Sequence, residues 1–165
     1  MKIGRFMRHM FATRTGTRRR FTNTVDAGIE AAIKSAELRT SGEIRFVIET
    51  ALDIPELWAR LTPRARAQQV FAALHVWDTE LRNGVLIYVL VADRDVEIVA
   101  DRGAAARIDP AEWEAACRLM EKEFRSKRFA EGACAGVAAV GGLLERHFPV
   151  RSRDRNELPN QPTLL

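Results

Sequence analysis

The chain reads as an α/β protein, a three-layer α/β/α sandwich with a short mixed β-sheet, in the order helix, strand, helix, β-hairpin, two helices. Three observations lead there. Apolar residues recur at helical spacing before and after a strand-like run at Glu43–Glu49. The stretch from Val85 to Ala92 is apolar on both faces, as a strand covered by helices on each side must be. A third strand follows so closely that it has to fold back as a hairpin.

From Thr24 onward, Val25, Ile29, Ala32, Ile33 and Ala36 form one helical stripe. Thr24 or Asp26 is placed to cap the first turn and Ser41-Gly42 to stop the helix. Ile44, Phe46 and Ile48 then alternate with Arg45, Val47 and Glu49, the period of a strand with one well-buried face. Beyond a loop containing Pro55, Thr62 caps a helix that begins at Pro63 and runs to Leu74. Two strands joined through that helix favour parallel pairing with a right-handed crossover. With Asp93 and Arg94 as the hairpin turn, Ala92 faces Asp95, Leu86 faces Asp101 and Gly84 faces Gly103. Asp109 and Pro110 open a helix that reaches Phe124, and a last helix runs from Ala130 to Arg146. Its uncharged run from Gly132 to Leu144 is too short to cross a bilayer, which takes about 20 residues. Its small residues suit close approach to the sheet instead. Trp77, after the second helix, reads as a plug for the core edge.

A chain of 165 residues is one domain's worth, and 47% hydrophobic with 29% charged residues is the composition of a globular protein, not a disordered or fibrous one. Cys117 and Cys134 are too few and too far apart for a zinc site or a disulfide framework, and they read as inert helix thiols. Seven of the 26 basic residues precede the first acidic one, Asp26, which leaves 19 basic against 22 acidic residues in the rest. The basic character therefore belongs to a leader over residues 1–22. The domain proper spans 23–148, and residues 149–165, with three prolines and scattered charge, read as a disordered tail.

The leader lacks the uninterrupted apolar run of a secretory signal, so a cytoplasmic location is expected. Ile3, Phe6, Met7, Met10 and Phe11 instead form one apolar stripe among Lys2, Arg5, Arg8 and His9, the pattern of a short interfacial helix. The expected membrane contacts are Lys2, Arg5, Phe6, Arg8, Met10, Phe11, Arg18, Arg19 and Arg20, on the anionic inner face of a membrane. A helix packed on the domain, or a disordered basic arm, would account for the same residues.

The strand GEIRFVIE, the Trp77 turn, the motif NGVLIYVLVADRDVEIVADRG and the late RFAEGACAGVAAVGGLL, taken in order, resemble the TPM domain family over roughly Ser41 to Phe148. The resemblance implies an α/β/α sandwich and an accessory protein in a membrane-associated process. It also implies a protein partner, with a LemA-like membrane protein as one candidate, because bacterial members are often encoded beside such proteins. A metal-dependent phosphatase activity proposed for a plant member makes Ca²⁺ or Mg²⁺ an expectation by resemblance only; the residues themselves call for no cofactor. Where the family often has Asp before Asn-Gly, this chain has Arg82, and a carboxylate is missing from that loop.

Parallel pairing of the first two strands gathers Glu43, Asn83, Asp101 and Arg102 at one end of the sheet as the candidate ligand site. Arg102 suits an anion, while Glu43 and Asp101 suit a cation or acid/base work. At the other end lie Asp53 and the turn residues Asp93, Arg94 and Asp95, whose two aspartates around an arginine suit a tight polar turn, a cation or a partner's basic residue. No catalytic triad, phosphate-binding loop, zinc pattern or dinucleotide fingerprint is present, and nucleic acid is an unlikely partner for a slightly acidic domain. The sequence thus points to a non-enzymatic accessory domain, with a weak metal-dependent phosphatase using Glu43, Asp101 and Asp93 as the alternative.

Overall fold

Among the described residues four strands, β1 (Glu43–Glu49), β2 (Gly84–Leu90), β3 (Asp95–Ala100) and β4 (Thr163–Leu164), make one mixed sheet in the order β3-β2-β1-β4. The computed structural model describes residues 3–150 and 156–165. β1 and β2 pair in parallel from Glu43 opposite Gly84 to Glu49 opposite Leu90, as the crossover demands. β2 and β3 are antiparallel, with Val85 opposite Ala100 and Leu90 opposite Asp95.

That register corrects the expected hairpin by two residues. A two-residue turn that fits strand twist needs positive φ at both central positions, which Asp-Arg does not favour. The chain uses a four-residue loop from Val91 to Arg94, with only Arg94 left-handed (φ 57°) and its N–H closing onto Val91 O at 3.2 Å. Because side chains alternate with period two, the shift leaves every residue on its expected face.

Eight helices flank the sheet among the described residues: α1 (Ile3–Phe11), α2 (Arg14–Arg20), α3 (Asn23–Glu37), α4 (Ile54–Trp58), α5 (Pro63–Ala73), α6 (Arg102–Ala105), α7 (Pro110–Arg125) and α8 (Phe129–His147). Thr62 and Asp109 cap α5 and α7 as expected; α3 begins earlier, with Thr22 Oγ1 accepting from Val25 N–H. One core cluster joins Ile44, Phe46, Ile48, Ile87 and Val89 to α3, α7 and α8; the other sets Val47, Leu86, Tyr88 and Leu90 against α5. The sandwich is therefore three-layered, and the small residues of α8 matter to it. A Cβ on Gly136 would lie 2.2 Å from Met120 Sδ, and one on Gly141 2.6 Å from Ala36 Cβ. Trp77, expected to plug the core edge, is half exposed at 49%, and the fully buried Val76 fills that position.

Both chain ends depart from the sequence reading. Residues 156–165 are ordered: Leu158 is buried, and β4 runs parallel to β1 with Thr163 opposite Val47 and Leu164 opposite Ile48. β1 would otherwise be an edge strand with unpaired backbone groups, and the tail supplies them. Residues 151–155 of the expected disordered tail lie outside the described residues. The leader is likewise part of the fold, with Phe21 in the core at 1% exposure and Thr17 buried against Thr50.

Candidate functional site

The amino ends of β1 and β2 bring Glu43, Asn83, Asp101 and Arg102 together as the sequence suggested. Asp101 N–H donates to Gly84 O at 2.9 Å, and Gly103 N–H to Arg82 O at 2.9 Å, so the end of β3 folds over the start of β2. The approach needs glycine: a Cβ on Gly103 would stand 2.6 Å from Arg82 O.

Asn83 is fully buried and holds this end together, its Nδ2 donating to Ser41 O at 2.8 Å and its N–H to Thr79 Oγ1 at 3.1 Å. Asp101 Oδ1 caps α6 by accepting from Arg102 N–H at 2.7 Å. Asn83 Oδ1 and Asp101 Oδ2 are buried acceptors with no protein donor among the described residues. Arg102 and Arg82 are exposed beside them. The tail covers Glu43, with Leu158 N–H donating to Glu43 Oε2 at 3.0 Å. Next to it, burial and the Glu43 charge push Glu37 up to about 7, while Ile44 N–H and Asn160 Nδ2 donate to its carboxylate. Arg45 fixes the same segment through Gln161 O at 3.0 Å and Thr163 Oγ1 at 2.6 Å.

A hard cation takes six or more oxygen ligands. Here two buried acceptors lack a donor, Glu43 and Glu37 receive backbone and amide N–H groups, and two arginines flank the spot. Among the described residues no group of three His, Cys, Asp or Glu side chains is placed to hold a metal. The described residues do not supply a full Ca²⁺ shell here, and the flanking arginines work against a cation. Asp93, the third carboxylate of the phosphatase alternative, sits beyond the far end of the seven-residue β2, about 20 Å away at roughly 3.3 Å per residue.

At that far end Asp93 is the anchor for the leader. Arg5 grips it through Nε at 2.9 Å and a terminal nitrogen at 2.8 Å while also donating to Leu61 O at 2.8 Å. Arg8 donates to Ala92 O at 3.1 Å. His9 is buried; its Nδ1 accepts from Leu52 N–H at 2.9 Å, which puts the ring hydrogen on Nε2, the atom 3.1 Å from Asp93 Oδ1. That Nε2–H is not aligned for a full hydrogen bond and acts as a charge–dipole contact. Burial alone would raise the Asp93 carboxyl, but Arg5 and His9 more than offset it and hold it below its ordinary value. The basic residue that this turn was suited to bind thus comes from its own chain.

The consequence for α1 is an inverted amphipathic helix. Arg5 and His9 face inward with Phe6, whereas Ile3 (78% exposed), Met7, Met10 and Phe11 (75%) face out. Arg5 and Arg8, expected at a membrane, are engaged with the hairpin turn. Lys2 lies outside the described residues. In α2, Arg19 is exposed, Arg18 pairs with Asp26 at 2.5 Å, and Arg20 stands 6.0 Å over the Phe129 ring. Phe6, expected at a membrane, turns inward against the second core cluster instead, which leaves Ile3, Met7, Met10 and Phe11 as the outward part of the stripe; helical spacing alone could not orient it.

Glu49 anchors a further buried polar group. Glu49 accepts from the Tyr88 hydroxyl at 2.5 Å and from Arg66 at 2.7 Å, under α5. Burial pushes the Cys117 thiol up to about 12, which disfavours its thiolate at neutral pH.

Comparison with known proteins follows this architecture. A model of the TPM domain matches residues 18–143. Among solved structures, the NMR structure of BA42 protein from the psychrophilic bacterium Bizionia argentinensis is 33% identical, with a TM-score of 0.75 over 87% of this chain and 94% of that one. The N-terminal domain of cg2496 protein from Corynebacterium glutamicum (18% identical, TM-score 0.55, 74% and 73% covered) shares the fold. So does the N-terminal domain of a protein from P. gingivalis (19%, TM-score 0.57, 79% and 82% covered). No curated protein matches. The matched span, the identity to BA42 and the shared sheet together establish that this chain belongs to the TPM domain family.

Proposed function

We propose that this protein is a non-enzymatic accessory domain that lies on the anionic, cytoplasmic face of a membrane and engages a protein partner with its remaining surface. One observation carries the membrane reading: α1 is docked by its polar side and presents Ile3, Met7, Met10 and Phe11 outward. A helix held only by packing would turn that stripe inward. The exposed arginines of α2 flank it, and each basic residue near an anionic surface contributes about 1 kcal/mol at low salt. Among the described residues no helix is long and apolar enough to cross a membrane, and the contact proposed is a peripheral one.

Sedimentation with phosphatidylglycerol vesicles at two salt concentrations tests this reading. The intact protein should pellet in a salt-sensitive manner, and the variant Met7→Ser/Met10→Ser/Phe11→Ser should stay in the supernatant. Equal pelleting of both proteins, or none by either, refutes it. Turnover of small phosphomonoesters with added Mg²⁺ or Ca²⁺, abolished by Asp101→Ala, would favour the phosphatase alternative instead.

A further inference from the structure

Beside the hairpin turn a cavity of about 690 Å³ opens between the leader and the α7–α8 connection. Its floor includes Phe21, Phe124 and Phe129, three rings in mutual edge-on and stacked contact with centroids 5.5 to 5.8 Å apart. Its rim carries Arg8, Arg20, Arg94, Arg125 and Lys127 against a single carboxylate, Glu121. Glu121 stands 3.7 Å from Arg125, Arg8 is engaged with the turn, and Arg20 is over Phe129. Arg94 and Lys127 have no side-chain hydrogen bond or ion pair among the described residues. Both are left-handed, at φ 57° and 61°, a conformation that an ordinary residue adopts at some cost.

We propose that this cavity takes one molecule of an anionic phospholipid, with the phosphate held by Arg94 and Lys127 and the start of an acyl chain on the phenyl floor. This rests on the membrane reading for the source of the lipid. The volume lies within the usual range of small-molecule sites, roughly 300–1,000 Å³. Charge selects the ligand: several cations around an apolar floor match an anion joined to a hydrocarbon. The cavity wall lacks the amide and hydroxyl side chains that would read the edge of a nucleotide base. Phe11 belongs both to the wall and to the outward stripe of α1, so the cavity mouth adjoins the surface that would meet the bilayer.

The test uses the full chain and dihexanoyl phosphatidylglycerol below its micellar concentration, followed by calorimetry and by methyl NMR of Val89, Val91 and Ala92. Saturable one-to-one binding with shifts at those methyls is expected. Arg94→Gly/Lys127→Gly should weaken it about thirtyfold, two cations at about 1 kcal/mol each. Glycine accepts both left-handed positions, so the thermal midpoint should stay level or rise. Dihexanoyl phosphatidylcholine should bind far more weakly, and inorganic phosphate weakly without shifting the methyls. The proposal is overturned if monomeric lipid does not saturate, if the double variant binds as well as the parent, or if phosphate alone or AMP binds as tightly as the lipid. The surface reading fails separately: Met7→Ser/Met10→Ser should abolish vesicle pelleting yet leave short-chain lipid binding intact.

Discussion

Asp93 is where α1 can be pried from the domain without touching the core. Its side chain is 8% exposed and receives Arg5 at 2.8 and 2.9 Å, Arg8 at 3.4 Å and His9 at 3.1 Å. Removing one member of a well-buried ion pair costs about 3–5 kcal/mol. Arg5 is 23% and Arg8 48% exposed, and water takes up part of the loss. For Asp93→Ala we therefore expect about 2–3 kcal/mol, concentrated in α1, which corresponds to amide exchange roughly 30- to 150-fold faster there. Native-state hydrogen exchange reads this directly. Amides of α1 should lose protection while those of β1 and β2 keep theirs. The carboxyl is held below its ordinary value of 3.8, so the clasp is at full strength above that pH and is lost as pH falls through the lower folded-state value. Acid should accordingly release α1 first in the parent and have no such early step in the variant. Unchanged α1 exchange, or an equal loss across the sheet, would refute the assignment of Asp93 as a local clasp.

The other predictions concern the core and its pH response. Phe21→Ala should lower the urea-derived stability by about 3–5 kcal/mol, because the ring is 1% exposed between Phe124 and Phe129; a loss below about 1 kcal/mol would mean the leader is not part of the core. Gly136→Ala should cost about 1–3 kcal/mol by forcing Met120 aside, and adding Met120→Ala should recover part of it; additive losses in the double variant would show that the contact is not the cause. Glu37 is raised from 4.5 to about 7 by burial first, so its contribution to stability is present below pH 4.5 and declines until about pH 7. In urea midpoints measured across that window, Glu37→Gln should flatten the decline but leave the part that Asp95, raised to about 6, contributes at the lower end.

Where the chain repeats a strong period, the fold was legible in its residues. The helices at α3, α5, α7 and α8, the parallel β1–β2 pair and the mixed sheet follow from alternation, helical stripes and two Pro-initiated caps. What was not legible depends on long-range contact. A two-residue strand such as β4 has no period to read, and it forms because β1 has a free edge. The hairpin loop lengthened because its central residues disfavour a tight primed turn. The four residues of the candidate site were gathered correctly by the parallel register. Two outcomes no local signal could convey: that Asn83 would be sealed at the core, and that the tail would cover Glu43. The amphipathic stripe of α1 was visible, but its orientation depends on Asp93, which is 88 residues away in sequence from Arg5.

That last separation makes α1 a latecomer. Its anchor exists only once β2 and β3 have closed their turn, so α1 has nothing to seat on until the sheet is made, and the loop-closure entropy of its docking falls at the end of folding. α1 is held mainly by ionic and polar contacts, with Phe6 alone packed on the core, whereas the sheet is held mainly by hydrocarbon. Salt and acid weaken the first kind of bond, while moderate warming does little to the second. The molecule therefore has two parts that answer differently to solvent: an apolar core little affected by ionic strength, and α1, whose seating follows it.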